Sequence, residues 1–257
     1  MKTPRLRTVL LALGIVAVLI AAASPWIVAS YWRVRSDNPI RRGLTRAQEL
    51  GCFTCHGELG RSGIAIPGSD EGVPRWDGSV WMMYVENDED IRRYIVDGSP
   101  PDTAIPMPAY GDVVSASDVD DLVATFKVLA GMVAPERGTS ARAGYDLARE
   151  WGCFSCHGPA GSGGLPNPGS FTGFVPGWYG ADFRDLVRSR QEFDAWILDG
   201  SIPRLREHPI AGFFLERQRL PMPAYQKMTQ EQLDSLWNYT RWLSETDGGH
   251  LAEPVSW

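Results

Sequence analysis

The sequence GCFTCHG at Gly51–Gly57 returns almost unchanged as GCFSCHG at Gly152–Gly158. Each stretch holds two cysteines separated by two residues, and a histidine directly follows the second cysteine. All four cysteines of the chain lie in these stretches: Cys52, Cys55, Cys153 and Cys156. Because none is left for disulfides elsewhere, the sequence does not predict a disulfide-stapled secreted scaffold.

The similarity between the two regions extends well beyond the cysteines. Further segments recur in the same order: GLTRAQEL with GYDLAREW before the motifs, VPRWDG with VPGWYG after them, and IPMPAY with LPMPAY at the far end. The second copy carries thirteen extra residues within IPRLREHPIAGFFLERQRL, residues 202–220, which we call the insertion. A shared order over this length indicates a tandem duplication.

The coarse pattern of each copy is helical. We expect short helices over Thr45–Leu50 and Tyr145–Trp151, just before the cysteine motifs. Capping signals predict a further helix after each PMPAY segment, and a glycine predicts the end of another helix in each copy: Ser115 with Asp118, Thr229 with Gln232, Gly98 and Gly200. No convincing alternating strand pattern is present, so the fold is predicted to be all-α.

The N-terminus predicts a membrane anchor. Val9–Tyr31 contains 23 residues without a charged side chain, which is long enough for a helix to cross a bilayer. A cleaved signal peptide is the alternative, since Ala21–Ala23 resembles a cleavage site and the mature chain would then start at Ser24. We expect an anchor over residues 1–37, a first repeat over 38–133 and a second repeat over 134–257.

The Cys-x-x-Cys-His motif is compatible with zinc binding, with thiol–disulfide exchange and with haem attachment. Zinc would need further ligands, and the remaining histidines are His208 and His250. A four-cysteine zinc site shared between the copies is geometrically possible, but it leaves His56 and His157 without a role. A thioredoxin-like pair would need a strand–helix context. The histidine after each pair therefore favours two thioether bonds to haem, with the imidazole as an iron ligand.

A methionine in each copy strengthens the haem interpretation. Met107 and Met222 occupy matching places, each between two prolines of a PMPAY segment. A thioether is suited to be the second axial ligand of haem iron, and the flanking prolines stiffen the loop that presents it.

With both motifs and both methionines in one order, each half resembles a class I cytochrome c domain. The whole chain after the anchor resembles the tandem dihaem cytochromes c, such as the c4 type and the dihaem subunits of membrane respiratory complexes. The resemblance implies two covalently bound haem c groups, with iron ligated by His56, Met107, His157 and Met222. It further implies a proline carbonyl that holds each histidine and a tryptophan that hydrogen-bonds a haem propionate, in this sequence Pro67, Pro168, Trp76 and Trp178.

The resemblance implies an electron-transfer protein rather than an enzyme. It would carry single electrons between redox proteins on the periplasmic side of a bacterial inner membrane, as part of a respiratory complex or beside one. The alternatives are a catalytic dihaem protein of the peroxidase kind and a soluble periplasmic shuttle released by signal cleavage. A net charge of −6 argues against a nucleic-acid partner, and no small-molecule substrate is expected.

Two charged stretches have more than one interpretation. The acidic run ENDED, residues 86–90, is predicted to cap the following helix or to steer a basic redox partner. His208 and the arginines of the insertion are predicted to form a solvated loop, a docking surface or a propionate-binding cluster.

Overall fold

The structure, a computed structural model, describes residues 13–16, 38–66, 72–77, 83–100 and 106–245. Contacts divide the chain into two units, Met1–Ser36 and Asp37–Trp257. In the first unit, residues 13–16 are helical. Within the described residues, no helix combines the length and the apolar character needed to cross a bilayer. The predicted anchor over residues 1–37 lies almost wholly outside the described residues and stays a prediction.

The second unit is built from helices, which confirms the all-α prediction. Its described residues contain no β-strand, only two isolated bridges, Ala65 with Gly72 and Pro166 with Phe174. The first repeat contains α1 (Pro39–Glu49), α2 (Cys52–His56), α3 (Asp88–Asp97) and α4 (Ala116–Leu129). The second repeat contains α5 (Ser140–Glu150), α6 (Phe154–His157), α7 (Gly180–Leu186), α8 (Arg190–Asp199), α9 (Pro203–Arg206), α10 (Pro209–Arg217) and α11 (Gln230–Glu245). A 3₁₀ turn follows each cysteine motif, at Glu58–Gly60 and Pro159–Gly161.

The predicted helix caps are present. Ser115 forms a full capping box with Asp118 at the start of α4. The side chains and backbone amides of Thr229 and Gln232 bond reciprocally at the start of α11. Gly98 and Gly200 end α3 and α8 with positive φ. In the acidic run ENDED, Asn87 caps α3 and acids fill its first turn, as the capping interpretation predicts.

In each repeat the first and last helices cross at a glycine. A side chain at Gly43 on α1 would overlap the carbonyl of Asp121 on α4, and one at Gly144 on α5 would overlap the carbonyl of Ser235 on α11. The backbones of the paired helices therefore touch, and the first helix of each repeat packs against its last helix.

The two repeats meet through different surfaces. Helix α4 of the first repeat contacts the turn Pro159–Gly161 of the second, and residues 158–163 are all buried. The Asn38 side-chain amide donates to the carbonyl of Ser162 over 2.6 Å. Apolar side chains from both repeats form one cluster, which includes Ile40, Ala124, Val128, Tyr145, Ala160, Tyr179, Tyr239 and Leu243. The matching turn of the first repeat is open, since Arg61 and Ser62 are exposed.

The insertion forms helices α9 and α10 rather than a loop. Prolines start both helices, and the ring of His208 caps α10 by accepting a hydrogen bond from the amide of Ala211. Arg204 joins α9 to α8 through two hydrogen bonds to the Glu192 carboxylate, of 2.7 and 3.0 Å. The predicted loop is therefore helical at Pro203–Arg206 and Pro209–Arg217, while the predicted exposure to solvent is present at residues 206–210.

Candidate functional site

Each cysteine motif lies in a short helix that begins after a sharp turn. Gly51 and Gly152 have φ values of 76° and 72°, a conformation that glycine adopts without strain. The turn redirects the chain from the preceding helix into α2 or α6. No disulfide joins any of the four cysteines.

The histidine of each motif is held by a backbone carbonyl. His56 Nδ1 lies 2.9 Å from the carbonyl oxygen of Pro74, and His157 Nδ1 lies 3.0 Å from that of Pro176. A carbonyl only accepts, so Nδ1 carries the proton and Nε2 keeps its lone pair. Burial lowers the pKa of both imidazoles, against a smaller opposing effect of these hydrogen bonds. Each histidine is thus neutral and oriented, the state in which imidazole binds metal.

The prolines in this role are not the predicted ones. The carbonyl of Pro168 instead accepts from the backbone amide of Arg219 over 3.0 Å, so that assignment was wrong. Pro67 lies outside the described residues, and Pro74 occupies the role assigned to it. A sequence signal for the correct pair existed, because Pro74 and Pro176 belong to the recurring VPRWDG and VPGWYG segments.

The tryptophans of these same segments pack on the histidines. The ring centroids of Trp76 and His56 are 5.1 Å apart, and those of Trp178 and His157 are 5.3 Å apart. A side chain in place of Gly60 would overlap Trp76, so a glycine is needed for the indole to lie against the turn. The predicted hydrogen bond from each tryptophan to a haem propionate stays a prediction.

The PMPAY segments, residues 106–110 and 221–225, are called the methionine loops. Hydrogen bonds hold the methionine loop of the first repeat at the end of α3. The carbonyl of Met107 accepts from the amide of Ser99 over 3.1 Å, while its amide donates to Ser99 Oγ over 2.7 Å. The amide of Tyr110 donates to the carbonyl of Ile95 over 3.0 Å. Gly98 makes this approach possible, because any side chain there would overlap the Met107 carbonyl.

The second repeat holds its methionine loop in the same way. The amide of Tyr225 donates to the carbonyl of Ile197 over 2.8 Å, and a side chain at Gly200 would overlap the Met222 carbonyl. Met222 packs against the same apolar cluster as Cys153. The structure therefore brings the cysteine motif and the methionine loop of this repeat together.

The tyrosines of the PMPAY segments lie beside the thiols in both repeats. Burial raises the pKa of Tyr110, with a further electrostatic contribution from the neighbouring Cys52 and Cys55. The pKa of Tyr225 rises for the same reasons, with Cys153 and Cys156 as the neighbours. The last residue of each PMPAY segment therefore lies near the cysteine pair of its own repeat.

Burial also keeps the first thiol of each pair protonated. It raises the pKa of Cys52 and raises that of Cys153 to about 11. Both first thiols are therefore protonated at neutral pH in the folded chain, whereas reactive thiols have a lowered pKa.

Among the residues that the structure describes, no group of three His, Cys, Asp or Glu side chains is arranged to hold a metal ion. Comparison of the chain with protein-family models, with curated proteins and with solved structures gives no match.

Proposed function

We propose that the chain is a membrane-anchored dihaem c-type cytochrome, built from two tandem class I cytochrome c domains, that transfers single electrons. The observation that carries the proposal is the paired arrangement around the two cysteine motifs. In each repeat a proline carbonyl fixes the imidazole, a tryptophan packs on it, and a glycine-dependent loop presents a methionine. This arrangement occurs twice in the same chain order.

The residues of each repeat fit a haem c group. Cys52 and Cys55 would form thioether bonds to one haem, and Cys153 and Cys156 to the other. His56 and His157 would bind iron through Nε2, with Met107 and Met222 as the second axial ligands. When bound, haem iron supplies one-electron redox chemistry, with a potential set by its axial ligands and surroundings.

The chain's own residues serve to hold the iron rather than to open it to a substrate. With His56 and Met107 holding one haem and His157 and Met222 holding the other, each repeat would act as an electron carrier. The acidic, membrane-anchored character of the sequence is consistent with redox-protein partners on the periplasmic side of a bacterial inner membrane, within a respiratory complex or beside it.

The haem assignment is tested by intact mass and visible spectra. Cells that attach haem c should yield a chain with two haems, and the C52S/C55S and C153S/C156S variants should each carry one. The variants Met107→Ala and Met222→Ala should each convert half of the low-spin haem to high spin. Met83→Ala is the control, because this exposed methionine is not a predicted ligand. A chain that carries no haem, or methionine variants with unchanged low-spin spectra, would overturn the respective assignment.

A further inference from the structure

One part of the second repeat exposes apolar side chains that the haem assignment does not use. Phe171, Ile210, Phe213 and Leu220 are exposed by 64%, 59%, 49% and 42%. Three of these residues belong to the insertion, and Phe171 lies at the tip of the loop that follows the second cysteine motif. We call these four residues the apolar patch.

Aromatic contacts make the patch one surface. The ring of Phe214 lies 5.3 Å from that of Phe171 and 5.3 Å from that of Phe213, measured between centroids. The guanidinium of Arg217 lies 4.3 Å above the Phe213 ring. Ile210 precedes Phe213 by three residues on α10 and therefore shares its face.

The patch is held in place by buried hydrogen bonds. Asn167 Oδ1 accepts from the amide of Leu220 over 2.8 Å, and its side-chain amide donates to the Leu220 carbonyl over 3.1 Å. The carbonyl of Pro168 accepts from the amide of Arg219 over 3.0 Å. The insertion is therefore fixed to the loop over residues 166–174, and its apolar side chains are presented on a rigid support.

The start of the folded unit lies beside this loop and the turn before it. Asn38 bonds to the carbonyl of Ser162, and the guanidinium of Arg41 lies 3.6 Å above the ring of Phe174, three residues from Phe171. In the sequence, residues 32–37 alone separate the uncharged segment Val9–Tyr31 from Asn38. Even a fully extended chain covers at most about 3.6 Å per residue, so a bilayer that holds Val9–Tyr31 is within roughly 25 Å of Asn38.

The character of the patch also suits a lipid surface. Interfacial segments combine large apolar side chains with arginines, whose guanidinium groups reach the headgroups. Arg206, Arg217 and Arg219 of the insertion are exposed, against two exposed acids, Glu207 and Glu216. The charge is only slightly positive, so apolar burial supplies most of the affinity and anionic lipid adds to it.

We propose that the apolar patch docks on the bilayer that holds the N-terminal anchor, with Phe171, Ile210 and Phe213 at the boundary between headgroups and acyl chains. This inference rests on the anchor of the proposed function. Docking would add a second attachment to the membrane and would fix which side of the second repeat faces the lipid.

The experiment uses the full chain with a protease site placed at residues 33–36. The protein is reconstituted into vesicles of mixed zwitterionic and anionic lipid, cut after folding, and sedimented with the vesicles. A C-terminal epitope reports the cut fragment, independently of haem content. We expect most of the fragment to stay with the mixed vesicles. A smaller share should stay with vesicles of purely zwitterionic lipid. Ile210→Asp should lower the vesicle-to-supernatant ratio at least tenfold.

Val113→Asp is the matched control, because Val113 is also exposed by 59% but lies in the first repeat. It should leave the partition unchanged. Release of the unsubstituted fragment from both kinds of vesicle would overturn the inference and assign the patch to a protein partner. Failure of the uncut chain to sediment would show that the anchor is wrong, and a missing haem, measured by mass on the same sample, would count against the redox assignment alone.

Discussion

At the scale of single residues, the site depends on glycines, because a neighbouring backbone carbonyl occupies the space that a side chain would need. Gly98 and Gly200 lie where the methionine loops cross the ends of α3 and α8. Both have positive φ, and both face a methionine carbonyl. The position of each predicted sulfur ligand is therefore set by a residue that has no side chain.

Replacing Gly200 with alanine should displace the methionine loop of the second repeat. The new Cβ overlaps the Met222 carbonyl, so the loop must shift, and the left-handed conformation costs about 1 kcal/mol in addition. The ferric spectrum of the variant should show that about half of the methionine ligation is lost.

Gly131→Ala separates this displacement from backbone strain. Gly131 has a φ of 73°, close to the 72° of Gly200, but a Cβ there meets nothing within 4 Å. The Gly131→Ala variant should lose stability through its left-handed backbone conformation, as the Gly200→Ala variant does, but it should keep both methionine ligands. Equal spectra for the two variants would contradict the role given to Gly200.

The residue scale also shows where sequence reasoning failed. The cysteines, histidines and methionines were predicted as the haem site because haem attachment requires those residue types at that spacing. The supporting prolines act through a carbonyl that every residue has, so the residue type carries little information. Pro67 and Pro168 were chosen by their place after the motif, whereas the recurring VP-x-W segments hold Pro74 and Pro176.

At the scale of helices, the crossing of α5 and α11 sets the frame of the second repeat. Gly144→Ala should destabilise it, although alanine favours a helix by about 1 kcal/mol over glycine. Overlap with the carbonyl of Ser235 forces the helices apart, at a cost of about 1–3 kcal/mol in lost packing. Denaturant unfolding should show a net loss, and Glu150→Ala, at an exposed position on α5, should show none.

The link between α8 and α9 should depend on pH. Hydrogen bonds from Arg204, with smaller effects from the Arg188 amide and charge, hold the pKa of Glu192 at about 2, against an ordinary 4.5. A lowered pKa in the folded state stabilises it above pH 4.5, and this effect is lost as pH falls toward 2. Because the pair is partly exposed, its contribution is about 1 kcal/mol or less.

The comparison that tests this uses Glu192→Gln. Thermal unfolding at pH 7 should show the variant less stable than the parent chain, and the difference should shrink between pH 4.5 and 2. Asp146→Asn, in the α5 ion pair with Arg142 over 2.9 Å, is the control, with little difference expected at either pH. A difference for Glu192→Gln that persists at pH 2 would contradict the ionic origin.

Helix starts and ends were predictable because caps are local. Ser115, Thr229, Gly98 and Gly200 act through neighbours within four residues, which the sequence displays directly. Helix α1 begins at Pro39, earlier than the predicted Thr45, because Asn38 caps it. The insertion helices were missed although prolines stand at their first positions, because neither is long enough to show an apolar periodicity.

At the scale of the whole second unit, the two predicted haem sites differ in their surroundings. The turn at residues 158–163 behind His157 is buried by the first repeat, while the matching turn behind His56 is open. This difference could not be predicted from the sequence. An apolar residue at a helix face has the same sequence pattern whether it packs on its own repeat or on the other one, as is the case for Ile40, Ala124 and Val128.

The buried site should have the higher reduction potential. Ferric haem carries one more positive charge than ferrous haem, and exclusion of water disfavours the charged form. A redox titration of the dihaem protein should therefore resolve two waves. Met222→His should lower the higher wave, because imidazole favours ferric iron relative to a thioether, and Met107→His should lower the other.

The reverse result, in which Met107→His lowers the higher wave, would contradict the effect of burial. The two histidine variants control for each other, since each makes the same substitution at a matching position.

The two repeats use different surfaces where they meet, and this limits whether further chains can associate in the same way. A head-to-tail contact propagates into a filament when each unit offers both surfaces. At the place that matches the buried Ala124 the second repeat carries Asn238, and at the place that matches the buried Ser162 the first repeat carries Arg61. Each free end of the pair therefore has a larger polar side chain where the joined surface has a small one. The contact between the two repeats therefore cannot be repeated from one chain to the next, and chains of this protein should not polymerise through it.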